Sequence, residues 1–221
     1  MVPERPQPFA PHVVILGVPV HAVTFESMLD TIATWIERGD RCFQICTASP
    51  EFVMIAQDDA QFRRVLRQAD LCVADGIGLL LAARFLGRPL PERVTGSDGL
   101  PLIAERAART GWKLFLLGAA PGVAEQAADA LRRRYPGVQI VGTYAGNPDP
   151  SEDDALVARV NASGADIVFV AYGAPRQDVW IARNAPRLTA RVAIGVGGSL
   201  DFAAGKIPRA PRWMQRLGLE W

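Results

Sequence analysis

Histidine and cysteine are scarce in this chain, with two of the first and three of the second in 221 residues. His12 and His21 stand in no motif with metal-ligand spacing, and the acidic clusters (Asp58-Asp59; Asp149, Glu152, Asp153 and Asp154) do not either. A zinc or calcium centre is therefore disfavoured, and Ser199 has no histidine nearby to make a hydrolytic triad. Cys42, Cys46 and Cys72 lie in apolar, strand-like runs. Cys42 and Cys46 share a face of one strand and cannot pair there, so all three read as small buried hydrophobes in a reducing, cytoplasmic compartment. An excess of charge is missing too: 24 Lys+Arg against 23 Asp+Glu leave +1. No long-range field gathers nucleic acid, so no nucleic-acid partner is expected. No apolar run reaches the ~20 residues of a membrane span. The opening MVPERPQPFAPH lacks the apolar stretch of a signal peptide. Residues 1–11 read as a flexible, proline-rich leader to a domain at 12–221. The chain is expected to be soluble, touching a membrane at most from outside.

What is present is core material: 49% of the residues are hydrophobic, enough for one domain. Apolar runs predict strands at 12–16, 42–47, 71–74, 113–117, 139–143, 166–171 and 191–195. Helical spacing predicts helices at 25–38, 50–57, 60–68, 78–86, 99–109, 123–135, 153–163 and 177–184. Several strands are apolar on both faces, as in a parallel sheet covered on each side. The expected fold class is α/β, a Rossmann-like, mainly parallel sheet with helices on both faces in a single compact domain. No internal repeat or linker divides it.

Chemistry concentrates where these strands end. GAAPG follows one strand at Gly118, GAPRQD another at Gly173, and GVGGS a third at Gly195. Glycine lets a backbone approach a ligand, helix N-termini offer N–H groups to anions, and open α/β sheets bind ligands at this edge. GVGGS resembles a piece of a dinucleotide fingerprint, but no acid-terminated strand follows it for a ribose. A phosphate or sugar-nucleotide loop fits better than NAD, with a plain tight turn as the other reading. Asp75, in LCVADGIG, stands at the same edge between a strand and two glycines. It either caps a helix or serves as a general base. Arg93 follows in PERVTG, as a phosphate clamp or a salt bridge with Glu92 or another neighbour. Asp98 reads as a helix cap, and Ser151 as a cap with Asp154 completing a capping box. The last stretch, AAGKIPRAPRWMQRLGLEW, is basic and aromatic. It is either an ordinary solvated turn and helix or a seat for anionic lipid or a pyrophosphate. Its apolar residues at 213–221 also suit burial in a homo-oligomer.

Together these segments resemble the WecG/TagA/CpsF glycosyltransferases. The resemblance runs from about residue 14 to 221 through ADGIG, LGRPLPERVTGSD, LFLLGAAPGVAE, YPGVQIVGTYAG, DIVFVAYGAPRQD, AIGVGGSLDFAAGKIPRAP and GLEW. It implies a bacterial enzyme acting at the cytoplasmic membrane face, peripheral to it. Such an enzyme moves a sugar, N-acetylmannosamine or its uronic acid, from a UDP-sugar onto polyprenyl-diphosphate-linked N-acetylglucosamine with inversion. The products feed envelope or exopolysaccharide synthesis. Asp75 is implied as the base, with Thr47, Arg93 and Gln177 as motif residues. The expected site joins Asp75 and Arg93 to substrate contacts at Thr47, Ser49, Gly76, Gly118, Gly173, Arg176, Gln177, Gly195, Gly197, Gly198 and Ser199. Lys206, Arg209 and Arg212 are candidates for the diphosphate or membrane, and no cofactor or metal is expected. Family members commonly carry asparagine where this chain has Ser49, and continue past GLEW into a basic appendage. On that comparison a chain ending at Trp221 is expected to have weak or absent activity. A non-catalytic sugar-nucleotide-binding or assembly protein is a second reading, and an NAD-dependent oxidoreductase or epimerase a third.

Overall fold

The computed structural model of the chain describes residues 12–207. The leader, the basic residues Arg209 and Arg212, and the aromatic Trp213 and Trp221 lie outside that range. The described chain begins with a hairpin. Val13–Ile15 (β1) pairs antiparallel with Val18–Val20 (β2). Leu16 and Gly17 between them both take positive φ, 46° and 84°, the backbone that matches a two-residue turn to strand twist. The run expected as a strand of the main sheet is thus one arm of a separate hairpin. Phe25–Arg38 (α1) follows, opened by a reciprocal Thr24–Ser27 capping box and closed by left-handed Gly39.

The remaining elements alternate: Phe43–Ala48 (β3), Pro50–Asp58 (α2), Ala60–Gln68 (α3), Leu71–Ala74 (β4), Ile77–Phe85 (α4), Gly96–Thr110 (α5), Lys113–Gly118 (β5), Val123–Arg134 (α6), Gln139–Tyr144 (β6), Asp153–Ser163 (α7), Ile167–Ala171 (β7), Arg176–Asn184 (α8), Val192–Gly195 (β8) and Ser199–Ala203 (α9). Six strands form one parallel sheet in the order β4-β3-β8-β7-β5-β6. β3, β4, β7 and β8 are buried at every position, which is why their sequences do not alternate.

α1, α5, α6 and α9 cover one face, with Trp35 stacked on Phe43 at 4.5 Å and Ile103, Leu114, Phe169 and Ile194 beneath. α2, α3, α7 and α8 cover the other, around Phe62 and Leu66 and around Trp180 and Ile181. Each large side chain so buried stabilises the fold by roughly 1.5–3 kcal/mol. Cys42, Cys46 and Cys72 are buried, as expected.

Connections leaving β3 and β7 pass onto one face and those leaving β5 and β8 onto the other, while β4 leads first into α4, which packs with α2 and α3, before α5 crosses to the opposite face. Neighbouring strand ends therefore part, and their loops enclose crevices at the carboxyl edge. Two expected caps sit elsewhere. Asp149 accepts the Ser151 N–H at 2.9 Å and opens a 3-10 turn, Pro150–Glu152, that runs straight into α7. Ser151 is a donor there, and α7 has no side-chain cap of its own. Thr95, not Asp98, caps α5, accepting the Asp98 N–H at 3.1 Å.

Candidate active site at the carboxyl edge of the sheet

Asp75 is held by its backbone before its side chain is considered. Its N–H donates to the Ala48 carbonyl at 2.7 Å, extending the β3–β4 ladder by one residue. Gly76 follows at φ 140°. A Cβ there would lie 2.9 Å from Pro50 Cδ, and one on Gly78 would lie 2.8 Å from Pro50 Cγ. The two glycines let Pro50, the first residue of α2, lie directly against the start of α4. Their role here is packing.

The carboxylate does not cap α4, which begins at Ile77 after Gly76 with no side-chain cap. Asp75 Oδ2 instead accepts the N–H of Gly96, the first residue of α5, at 2.9 Å. That segment is brought alongside by a bond from Val94 N–H to the Ala74 carbonyl, 2.9 Å. The carboxylate therefore faces the positive end of a 15-residue helix. Beside it, Thr95 Oγ1 donates to Asp98 Oδ2 at 2.9 Å, and Arg93 Nη2 approaches the same oxygen at 3.9 Å. The Arg93 side chain is 19% exposed. Glu92 is engaged elsewhere, accepting the Phe25 N–H at the start of α1, 2.8 Å.

The turn after β8 completes the floor. Thr47 Oγ1 donates to the Gly195 carbonyl at 2.8 Å, and Gly197 N–H donates to Gln177 Oε1 at 2.9 Å. Val196 N–H binds the Val170 carbonyl, and Ser199 directs both its N–H and its hydroxyl to the Val196 carbonyl. Gly96 packs on this turn, since a Cβ there would lie 3.2 Å from Ser199 Oγ. Thr47, Asp75, Gly96, Gln177 and the 195–199 turn are thus contiguous. Above them the described residues leave the space open: none of their atoms lies within 4 Å of a Cβ placed on Gly173, Gly197 or Gly198.

Several expected contact residues prove to shape the site from within. Thr47 and Ser199 direct their hydroxyls, and Gln177 its amide oxygen, to backbone groups. Ser49 caps α2 through the Phe52 N–H, 3.3 Å. Gly118, at φ 103°, presses against the Ala171 backbone, where a Cβ would approach to 2.8 Å. The N–H groups of Val196, Gly197 and Ser199 are all used within the fold, so the turn is a shaped surface more than a nest of donors. Arg176 and Lys206 are exposed. A cavity of about 520 Å³ lies away from this floor, on the β6 edge among Phe115, Tyr144 and Arg159. Among the described residues no helix is long and apolar enough to cross a membrane.

A profile of the glycosyl transferase WecG/TagA/CpsF family matches residues 13–221. The chain belongs to that family. It is similar to an N-acetylglucosaminyldiphosphoundecaprenol N-acetyl-beta-D-mannosaminyltransferase of Bacillus spizizenii, with 33% identity across 90% of this chain and 75% of the relative. The enzyme of the same name from Staphylococcus aureus strain MRSA252 is 35% identical across 94% of this chain and 81% of its own. A nicotinate phosphoribosyltransferase crystal structure from Vibrio cholerae aligns with a TM-score of 0.27 at 14% identity, too low to bear on fold or function.

Within this WecG/TagA/CpsF-family framework, the residues that sequence reasoning passed over are Thr95, Gly96 and Asp178. Thr95-x-x-Asp98 is a visible helix-start signature, and it would have moved the start of α5 to Gly96. Asp178 carried no such signal. It lies wholly buried beneath Gly195, and burial pushes its carboxyl up to about 7 against hydrogen bonding from Cys46 and Gln177.

Proposed function

We propose that this glycosyltransferase moves an N-acetylmannosamine-type sugar from a UDP-sugar onto a polyprenyl-diphosphate-linked N-acetylglucosamine, with inversion, at the cytoplasmic face of the membrane. The observation that carries the reading is the Asp75 carboxylate, fixed by the Gly96 N–H at the carboxyl edge of the sheet, beside open space over Gly173, Gly197 and Gly198. The names of the relatives support the acceptor and the transferred sugar.

In this reading Asp75 removes the proton of the acceptor hydroxyl as its oxygen attacks the sugar's anomeric carbon. The bond from that carbon to the diphosphate breaks on the opposite side, and UDP leaves with the electron pair. General-base help of this kind is worth about 10²–10⁴-fold. The positive end of α5 and the Arg93 guanidinium offset charge on the phosphates. No metal is assigned, because the two histidines and dispersed carboxylates make no donor set: among the described residues no group of three or more His, Cys, Asp or Glu is placed to hold one. Membrane contact and a homo-oligomer belong to the same proposal.

A panel of UDP-sugars with a soluble lipid-linked acceptor analogue, run with and without EDTA, tests the reading. Transfer from UDP-N-acetylmannosamine, unchanged by EDTA, is expected. Transfer restored only by Mg²⁺ or Mn²⁺ would contradict the metal-free mechanism, and transfer from no UDP-sugar would contradict the function.

A further inference from the structure

Gln177 and Asp178 are the second and third residues of α8, and they are 1% and 0% exposed. Gln177 has a visible task in accepting the Gly197 N–H. Asp178 has none in the transfer described above. Both of its carboxyl oxygens are sealed from solvent, with the Cys46 thiol and the Gln177 amide beside them but no hydrogen bond of full geometry to either oxygen among the described residues. A buried polar group left in that condition costs stability.

Its position is specific. A Cβ on Gly195 would fall 2.8 Å from Asp178 Oδ1 and 2.8 Å from Gln177 Nε2. The end of β8 therefore rests on this carboxyl and this amide together. The Gln177 amide nitrogen lies on the carboxyl side, and its oxygen faces Gly197. The Asp178 carbonyl in turn accepts Gln44 Nε2 at 3.0 Å, tying the start of α8 to β3. Around the carboxyl, the titratable groups that bear on it are the Cys46 thiol of β3 and, behind it, Cys72 of β4. β7 and β8 carry no charged residue, and none of the α3 arginines bears on it.

We propose that Asp178 is a positioning residue for the donor site: it fixes the orientation of the Gln177 amide, and through it the shape of the Gly195–Gly198 turn. An amide with no neighbour of defined polarity can present either its oxygen or its nitrogen to Gly197. An acceptor on the far side of it settles the choice, because the nitrogen then points to the carboxyl and the oxygen to the Gly197 N–H. This inference rests on the turn receiving the UDP-sugar.

The charge state of the carboxyl makes the role measurable. Burial pushes it up to about 7, so it is neutral below that pH and becomes an anion above it. Among the described residues no cation bears on the charge that then forms. The Cys46 thiol, the Gln177 amide or a water must move towards it, and the turn above moves with them. Donor KM should therefore rise as pH passes about 7, with kcat changing less. The UDP-sugar diphosphate keeps its own charge over this range.

Steady-state kinetics and calorimetric UDP-sugar binding from about pH 6 to 8 test this in the wild type, Asp178→Asn and Asp178→Leu. Asparagine keeps an acceptor oxygen but cannot ionise, so its KM should be flat where the wild type rises. Leucine removes the acceptor, and should raise donor KM about tenfold at every pH, the cost of one mispaired buried polar group. Thermal melts identify a leucine variant that fails to fold, in which case the asparagine profile decides. A flat wild-type profile, or an asparagine profile that rises alike, would overturn the proposal. Wild type that binds no UDP-sugar would remove the functional reading and this inference with it. Normal binding by a folded leucine variant would remove this inference alone.

Discussion

Asp75 and Asp178 are carboxyls at the same edge of the sheet, in opposite surroundings. Asp75 meets a helix N-terminus and partial exposure, whereas Asp178 meets thiol, amide and apolar strand. The second should leave a mark on stability. Its folded value of about 7 lies above the value of about 3.8 expected when unfolded, so the native chain holds a proton that the unfolded chain releases between those values. Stability attributable to this group is full below about pH 4, falls as pH rises towards 7, and is level beyond. Other acids run the other way. Burial acts upward on Asp153, but hydrogen bonds and charge from Arg183 outweigh it and hold it below its ordinary value. Urea midpoints for wild type and Asp178→Asn at pH 5 and 8 isolate the buried group. The variant should gain relative to wild type at pH 8, and an equal difference at both pH values would contradict the assignment.

At the scale of elements, the strand ends are set by contacts too close for a side chain. Gly118→Ala would place a Cβ 2.8 Å from the Ala171 backbone at φ 103°. The strain and the parting of β5 from β7 should cost about 1–3 kcal/mol, read as a lower melting temperature. A variant as stable as wild type would show that the strand ends relax freely. Seven of the eight predicted helices and six of the seven predicted main-sheet strands could be placed within two residues from sequence, because both-face apolar runs and helical spacing report burial directly. The hairpin escaped because Pro19 interrupts its second arm. The start of α5 escaped because Gly96, Gly99 and Pro101 crowd its first turns. Asp75 was legible from its place between a strand and a glycine. The tasks of Thr47 and Gln177 were not, since their partners Gly195 and Gly197 lie 148 and 20 residues away and meet them only in the folded sheet.

Over the whole molecule, connections that leave to both faces bring the ends of β3, β4, β7 and β8 and the start of α5 to one edge. Net charge of +1 supplies little attraction at a distance, so the anionic substrates assigned to that edge must be met locally, by a helix end and Arg93. Everything converges on Asp75, and Asp75→Asn addresses it alone. An asparagine oxygen can still accept the Gly96 N–H, so melting temperature and UDP-sugar affinity should hold. With general-base help gone, kcat for sugar transfer should fall by about 10²–10⁴-fold. A kcat within about threefold of wild type, in a folded variant that binds the donor normally, would contradict the role of Asp75 as the base.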